Sequence, residues 1–387
     1  MPQINNPYLS HSVTRPRGRL VINDIPVATL VSASVTTANH RSADTMSARI
    51  VIGYNLALPT LPGDPNFPPA WWGTDAPKSA IVSVELSVTD ASRPEGVNAW
   101  VPVFVGTIDH CHVELFSGVV DITARDLSSR FIDAKTREVF KNQTSSDVIK
   151  TLAGRRGLGA DVTPTATPVG RIYQLEHDRI TLDSSASTTT EWALMMRLAQ
   201  EEGYDLWVDP RTRKVNFHPY VKLDDTNANV FLVHAEAATP VRPYPVSNAK
   251  DLRIDRNFAL AKDIVVVVKS WDGRKAQSVH ARYPGNAKAG ATEYVIVRGG
   301  LDPAKATALA QDTWRDLVAH ELLADFEIVG ETVMDARTLV RITGTGTAWD
   351  TLLYVNTITR NITFEGALTQ SVTVKNQSPQ GAILTGA

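Results

Sequence analysis

One cysteine, Cys111, stands in 387 residues, so no disulfide can close within the chain and the fold must rest on packing. Long apolar runs are missing too. The densest, Ile264 to Val268, is five residues, against the roughly 18–20 that a membrane-spanning helix requires. Charge of one sign is absent: 39 Lys and Arg face 41 Asp and Glu, a net −2, which removes the electrostatic case for a dedicated nucleic-acid binder. The first ten residues, MPQINNPYLS, hold neither a basic segment nor an apolar one and so no secretory signal. No Gly-x-Ser-x-Gly, His-Glu-x-x-His or repeated Cys pair occurs, so no familiar hydrolase or zinc motif speaks for an enzyme. The expectation is a soluble chain made in a cytoplasm, without a membrane span, cofactor or metal.

What is present is ordinary globular material, 43% hydrophobic and 21% charged, long enough for two to four domains at roughly 100–200 residues each. Residues 1–126 are mostly short runs of Val, Ile and Thr punctuated by Gly, Pro, Asn and Asp, the pattern of an antiparallel β-barrel. An insertion at 55–79 interrupts them, with six prolines and the rings of Phe67, Trp71 and Trp72. So many prolines predict neither helix nor central strand there.

From 127 to 245 the period changes to that of small α+β units. Thr144-Ser145-Ser146-Asp147 has capping-box form ahead of Val148, Ile149, Leu152 and Ala153. A second helix is announced by Thr188-Thr189-Thr190-Glu191 and stops at Gly203, and a hairpin over Tyr204–Val208 and Lys214–Phe217 follows. Strand signals return over 246–376, a second β-barrel with one helix at 303–323 that starts from Asp302 and Pro303 and includes Leu322 in its apolar face. Residues 377–387 read as a flexible tail.

The chain also repeats itself. Phe104-Val105-Gly106-Thr107-Ile108-Asp109 matches Tyr354-Val355-Asn356-Thr357-Ile358-Thr359, and Asp121-Ile122-Thr123-Ala124-Arg125-Asp126 matches Ser371-Val372-Thr373-Val374-Lys375-Asn376, both at an offset of 250. Strand-favouring residues alone produce V-x-T-I patterns. A shared offset on two strands points further, to a mainly β fold with α+β insertions and two homologous tube-like β-barrels in one chain. Three such chains would set six similar barrels around an axis.

The order of these elements resembles the phage baseplate hub proteins, the late control D group and the N-terminal part of type VI secretion spike proteins. Phe104-Val105-Gly106-Thr107-Ile108 with Val120 to Asp126 is similar to that family's F-x-G-x-I strand and its A-x-D partner. Arg137-Glu138-Val139-Phe140 to Leu158, and Glu191-Trp192-Ala193 through Gly203 to Asn216-Phe217-His218-Pro219, resemble its two helical segments. The resemblance is clear over roughly 100–220 and architectural elsewhere. It implies a homotrimer whose pseudo-sixfold ring joins a hexameric tail tube, or distal tail protein, to a trimeric central spike. It also implies a lined channel that DNA crosses without specific binding, with the tape-measure protein a further candidate partner, in a virion assembled in the host cytoplasm. The insertion at 55–79 has no match in the family pattern. No needle or lytic segment follows the second barrel, so the spike would be a separate protein. The rival reading is a tail-associated cell-wall or polysaccharide hydrolase, or a carbohydrate-binding protein using some of the eight Trp.

Several residues invite chemistry. His110, His112 and Glu114 fall on one face of a strand beside Cys111, a metal-ligand set by type, but one flat strand spaces them nearly 7 Å per step, so a polar face or subunit contact is the better expectation. Gly154, Gly157 and Gly159 with Arg155 and Arg156 follow a helix and read as C-cap glycines rather than a phosphate loop; Gly344 and Gly346 read as turn or bulge glycines. Eight basic against four acidic residues over 125–156 read as a solvated or interfacial face. Glu201 and Glu202 have no pairing a glycosidase would need. The insertion, with Phe67, Trp71 and Trp72, is the candidate partner interface, because a long segment stiffened by proline docks at low entropic cost.

Overall fold

The computed structural model describes residues 3–4, 14–38, 43–53, 63–90, 100–136, 140, 143–166, 189–223, 225–241, 243–256, 264–272, 277–286, 290–298, 301, 303–319, 322–363 and 368–376. The tail at 377–387, the start of the insertion and Arg137–Val139 lie outside them.

The N-terminal strands are β1 (Thr14–Ile22), β2 (Leu30–Ala38), β3 (Thr45–Val51), β4 (Ile81–Asp90), β5 (Val101–Glu114) and β6 (Val119–Asp126). They pair antiparallel in the order β2-β3-β6-β5-β4-β1. Alternation decides which face is buried: in β3, Met46, Ala48 and Ile50 point inwards between exposed Thr45, Ser47 and Arg49. They join Leu20, Ile22, Val84, Phe104 and Ile122 in the first core.

The middle region holds α1 (Ser145–Arg155), β7 (Gly159–Val162), α2 (Glu191–Glu202), β8 (Tyr204–Asp209) and β9 (Lys214–Pro219). The expected capping box is formed: Thr144 Oγ1 accepts from the Asp147 N–H and the Asp147 carboxylate answers the Thr144 N–H. Val148, Ile149, Leu152 and Ala153 of α1 pack with Trp192, Met195 and Leu198 of α2 over a small sheet ordered β7-β9-β8. Both helices end where Gly157 and Gly203 take φ of +70°, a conformation that disfavours any side chain.

The C-terminal part contains β10 (Asn229–Glu236), β11 (Lys250–Arg256), β12 (Ile264–Asp272), β13 (Gln277–Tyr283), β14 (Thr292–Val297), α3 (Pro303–Ala319), β15 (Leu322–Val329), β16 (Leu339–Thr343), β17 (Leu352–Thr363) and β18 (Leu368–Lys375). Three boundaries differ from expectation. β10 belongs to the second sheet, running parallel to β16. Helix α3 ends at Ala319, and Leu322 begins β15 instead, because its apolar side packs on the second core. Strands β12, β13 and β14 do not join the second sheet; they form their own three-stranded sheet, with Ala306 and Ala310 of α3 packed on Val266 and Val268.

Five strands of the second sheet are ordered β11-β15-β18-β17-β16, antiparallel throughout, with β10 parallel beyond β16; the five have the order of β2-β3-β6-β5-β4 in the first sheet. The correspondence is residue by residue. The cross-strand row Val35, Met46, Ala124, Ile108 in the first sheet is answered by Ile254, Ala324, Val374, Val355 in the second. Directly after each row comes a bulge, between Ile108 and His110 in β5 and between Val355 and Thr357 in β17. The offset of 250 therefore holds for β6 and β18, whereas β5 and β17 correspond at 247. The second hairpin is three residues longer between equivalent positions, and the apparent V-x-T-I identity came from strand propensity.

The two sheets join where β17 runs past β16 and pairs with β2, Thr357 opposite Ala38 through to Thr363 opposite Ser32. Ile362 and Leu368 thereby enter the first core. Gly18 of β1 has no Cβ because one would stand 2.5 Å from the Ile362 Cδ1 atom.

The insertion corrects one expectation. Pro69–Trp72 and Ala76–Ser79 are single helical turns, each with proline at its start, where the missing N–H would have had no helical partner.

Candidate functional site

The first, middle and second units meet around a polar cavity of about 190 Å³. Asp44 stands just before β3 and Asp126 ends β6; Trp207 comes from β8; Met334, Asp335 and Arg337 come from the loop between β15 and β16; Arg360 projects inwards from β17; Asp205 of β8 lies behind them, within the electrostatic reach of Arg337. Strand ends and inward strand positions place Asp44, Asp126 and Arg360, and the loop between β15 and β16 brings Arg337 to face them.

Arg360 is buried between Ile358 and Ile362 and donates through Nη2 to the Met334 carbonyl at 2.6 Å. The Arg337 guanidinium lies 3.4 Å from the centroid of the Trp207 ring, a cation–π contact between the second and middle units. Glu331, fully buried, accepts from the Met334 N–H at 2.8 Å, from the Val333 N–H and from Gln370 Nε2 at 2.9 Å. Arg211 Nη2 donates to the Thr332 carbonyl at 2.9 Å, a second tie from the middle unit.

Burial pushes the Asp205 carboxyl up to about 7 against the pull of Arg337, and Asp205 Oδ1 is buried with no hydrogen-bond partner. Burial raises Asp44 and Asp126 as well; the charge of Asp44 raises Asp126 further, while Ser128 lowers it. Burial draws both Arg337 and Arg360 below the usual guanidinium range, opposed by their carboxylate neighbours. Opposite charges from three units thus face one another in one poorly solvated site. Stranding any one of them is costly in a poorly solvated site, and the arrangement acts as a lock on the mutual placement of the units.

Sequence reasoning missed this cluster. Asp126 does end the A-x-D stretch, and Arg360 occupies an inward position in an alternating strand. An inward arginine is the one signal that could have been followed.

The residues singled out from the sequence lie elsewhere. Phe67 and Trp72 are buried in the first core, and Trp72 Nε1 donates to the Phe67 carbonyl at 3.1 Å. Trp71 packs edge-on to both rings, at 5.1 and 4.7 Å between centroids, and stays partly exposed. Asp64 clamps the segment by accepting from the Ala28 N–H at 2.7 Å. His110 and His112 are exposed on β5, with His112 Nε2 4.0 Å from Glu114 Oε1; among the described residues no group of three or more His, Cys, Asp or Glu is arranged to hold a metal ion. Much of the basic excess is engaged within the chain: Arg125 pairs with Asp109 and Asp133, and Arg156 makes two 2.7 Å bonds to buried Glu191. Gly344 and Gly346 have positive φ in a turn closed by Asp350, which accepts from the Gly346 N–H at 3.1 Å. Glu202 accepts from Ser145 Oγ at 2.7 Å, tying α2 to α1. No helix among the described residues is long and apolar enough to cross a membrane.

No protein-family model matches this chain, and no curated protein does. Solved structures do. A tail protein from Neisseria meningitidis MC58 is similar over 95% of this chain and 100% of its own, with a TM-score of 0.64 at 11% identity. The 43 kDa tail protein of prophage MuSo2 from Shewanella oneidensis covers 94% and 96%, with a TM-score of 0.59 at 13% identity. Prophage tail protein gp18 from Listeria monocytogenes EGD-e covers 93% and 95%, with a TM-score of 0.52 at 9% identity. At such identities the likeness is one of fold. The chain has the mainly β fold of these tail proteins along its whole length, as the hub resemblance implied.

Proposed function

We propose that this chain is a structural baseplate hub of a phage or phage-like tail, a homotrimer rather than an enzyme. The observation that supports it most is the repeated five-strand order, β2-β3-β6-β5-β4 and β11-β15-β18-β17-β16. A chain with two equivalent sheet units, each curled into a tube-like barrel, presents six such units as a trimer. It can therefore face a sixfold tail tube on one side and a threefold spike on the other. The charged cavity holds the units at a fixed angle, which a ring requires. The near-neutral net charge of −2 suits a lumen that lets DNA or a tape-measure protein pass without tight binding. In the insertion, Trp71 is the ring left to meet a tube or spike neighbour, since Phe67 and Trp72 are buried in their own core.

Electron cryomicroscopy of the tail particle carrying this chain tests the reading. Three copies on the particle axis, between tube and spike, are expected; a single copy off the axis would overturn it.

A further inference from the structure

The repeat leaves two strand edges that correspond to a pair already joined within the chain. Within the chain, the outer part of β17, Thr357–Thr363, zips onto β2. Through the bulges at Asp109 and Asn356, the counterpart of Thr357–Asn361 is His110–Glu114, where β5 ends; through the cross-strand row, the counterpart of β2 is β11. Yet β4 pairs only with Val101–Thr107 of β5, and β11 pairs only with β15. Among the described residues neither His110–Glu114 nor Asp251–Asp255 has a strand on its outer edge. The helical turn Ala76–Ser79 lies against β5 but offers no strand, and an edge without a strand partner is a template for pairing with another chain.

We infer that β11 of one copy pairs antiparallel with the outer part of β5 of a second copy, in the register that β2 keeps against β17. This rests on the hub reading and names the contact that would close its ring. Transferring the register, Val35 opposite Arg360 becomes Ile254 opposite Val113. On the outer face the chain's own seam uses Ser34–Asn361 at 2.8 Å and Thr36–Thr359 at 3.4 Å. Their counterparts are Arg253 with Glu114, an opposite-charge pair, and Asp255 with His112, a carboxylate beside an imidazole. On the inner face Ile254 meets Val113, with Leu252 beside them. Ile254 and Leu252 pack at the rim of the second core, and Val113 at the rim of the first. Leu115, in the turn that follows β5, is 49% exposed, apolar surface beside the seam that a second copy would cover. The contact is head-to-tail, so repeating it closes a ring when the rotation allows. The His110-Cys111-His112 stretch thereby gains a role as an edge rather than as a metal site.

Cys111 makes the test direct. In the transferred register it faces Arg256, as Ile358 faces Thr37. Purified full-length Arg256→Cys protein, mildly oxidised, is expected to give disulfide-linked species ending at three chains. Reduction dissolves them, and Cys111→Ser in the same background abolishes them. Independently, Arg253→Glu is expected to weaken self-association about tenfold, and adding Glu114→Arg to recover most of it, read by light scattering of otherwise unmodified chains. A trimer that forms without the cross-link and is indifferent to Arg253→Glu would overturn this seam while leaving the hub reading intact. A chain that stays monomeric at every concentration and gives no cross-link would overturn it as a contact the chain makes itself; the hub reading is then decided by the particle images.

Discussion

The backbone N–H of Asp126 donates to the carbonyl oxygen of Asp44 over 2.9 Å, and the bond that links the end of β6 to the start of β3 also brings two carboxyls into one poorly solvated site. Their protonation, with that of Asp205, sets a pH dependence. All three have folded-state values raised, first of all by burial, so between the ordinary carboxylate range near pH 4 and about pH 7 the folded chain binds more protons than the unfolded one. Stability must then fall as pH rises through that window and be greater near about pH 5 than near neutrality. Asp205→Asn, which removes a buried charge whose Oδ1 has no hydrogen-bond partner and leaves Arg337 faced by Asp335 and Asp44, is expected to raise stability at neutral pH by about 1–2 kcal/mol and to flatten the slope. Thermal unfolding of both proteins across the window checks this. A wild-type midpoint that rises steadily from pH 5 to neutrality would contradict it.

Glu331 holds the loop that carries Met334, Asp335 and Arg337. It accepts from two backbone N–H groups and from Gln370 Nε2 while fully buried. Glu331→Ala leaves these donors without an acceptor, and a loss of about 3 kcal/mol is expected from stranded donors of this kind. Glu331→Gln keeps the shape and one acceptor oxygen and should lose less. Denaturant unfolding of the two variants ranks them, and equal losses would show that the loop stands by other means.

Gly106 lies where β5 passes closest to β6. A Cβ there would collide with the carbonyl oxygen of Arg125, a backbone atom that cannot move aside alone. Gly106→Ala is expected to cost at least about 2 kcal/mol, as overpacking against backbone does. Gly154→Ala, where a Cβ meets nothing within 4 Å, should cost nothing and gain slightly from helix propensity. A thermal-shift comparison of the pair is sufficient.

How much of this was written in the sequence differs from one element to the next. The capping box at Thr144 and the glycine stop at Gly203 depend on residues a few positions apart, and both formed as read. The alternation that buries Met46, Ala48 and Ile50 is likewise local. The repeat was visible, but its register was not: propensity filled both hairpins with Val, Thr and Ile, and only the bulges at Asp109 and Asn356 reveal the true correspondence. Strands β12 to β14 look like any others in sequence, and what separates them is which core their inward residues reach, a matter of tertiary packing. The charged junction was hidden for the same reason, since Asp44, Asp205 and Arg337 are distant in sequence and ordinary in type. Arg360 was the exception, a cation at a position where alternation demands an apolar side chain.

The two tryptophans of the insertion separate folding from binding. Trp72 is 4% exposed, packs in the first core and donates to the Phe67 carbonyl. Its neighbour Trp71 touches the same rings from their edges and keeps part of its surface open. Trp72→Ala should therefore open a cavity beneath β4 and β5 and cost about 3–5 kcal/mol, with a lower unfolding midpoint for the isolated chain. Trp71→Ala should cost no more than about 1–2 kcal/mol, the worth of partial burial and two edge contacts. If the insertion meets a tube or spike neighbour, that second variant should nevertheless fail in the particle: purified Trp71→Ala chain, folded by circular dichroism, would enter assembled tails several-fold less than the unmodified chain. Equal incorporation would assign the whole insertion to the chain's own core, with Trp71 as the outermost of three packed rings.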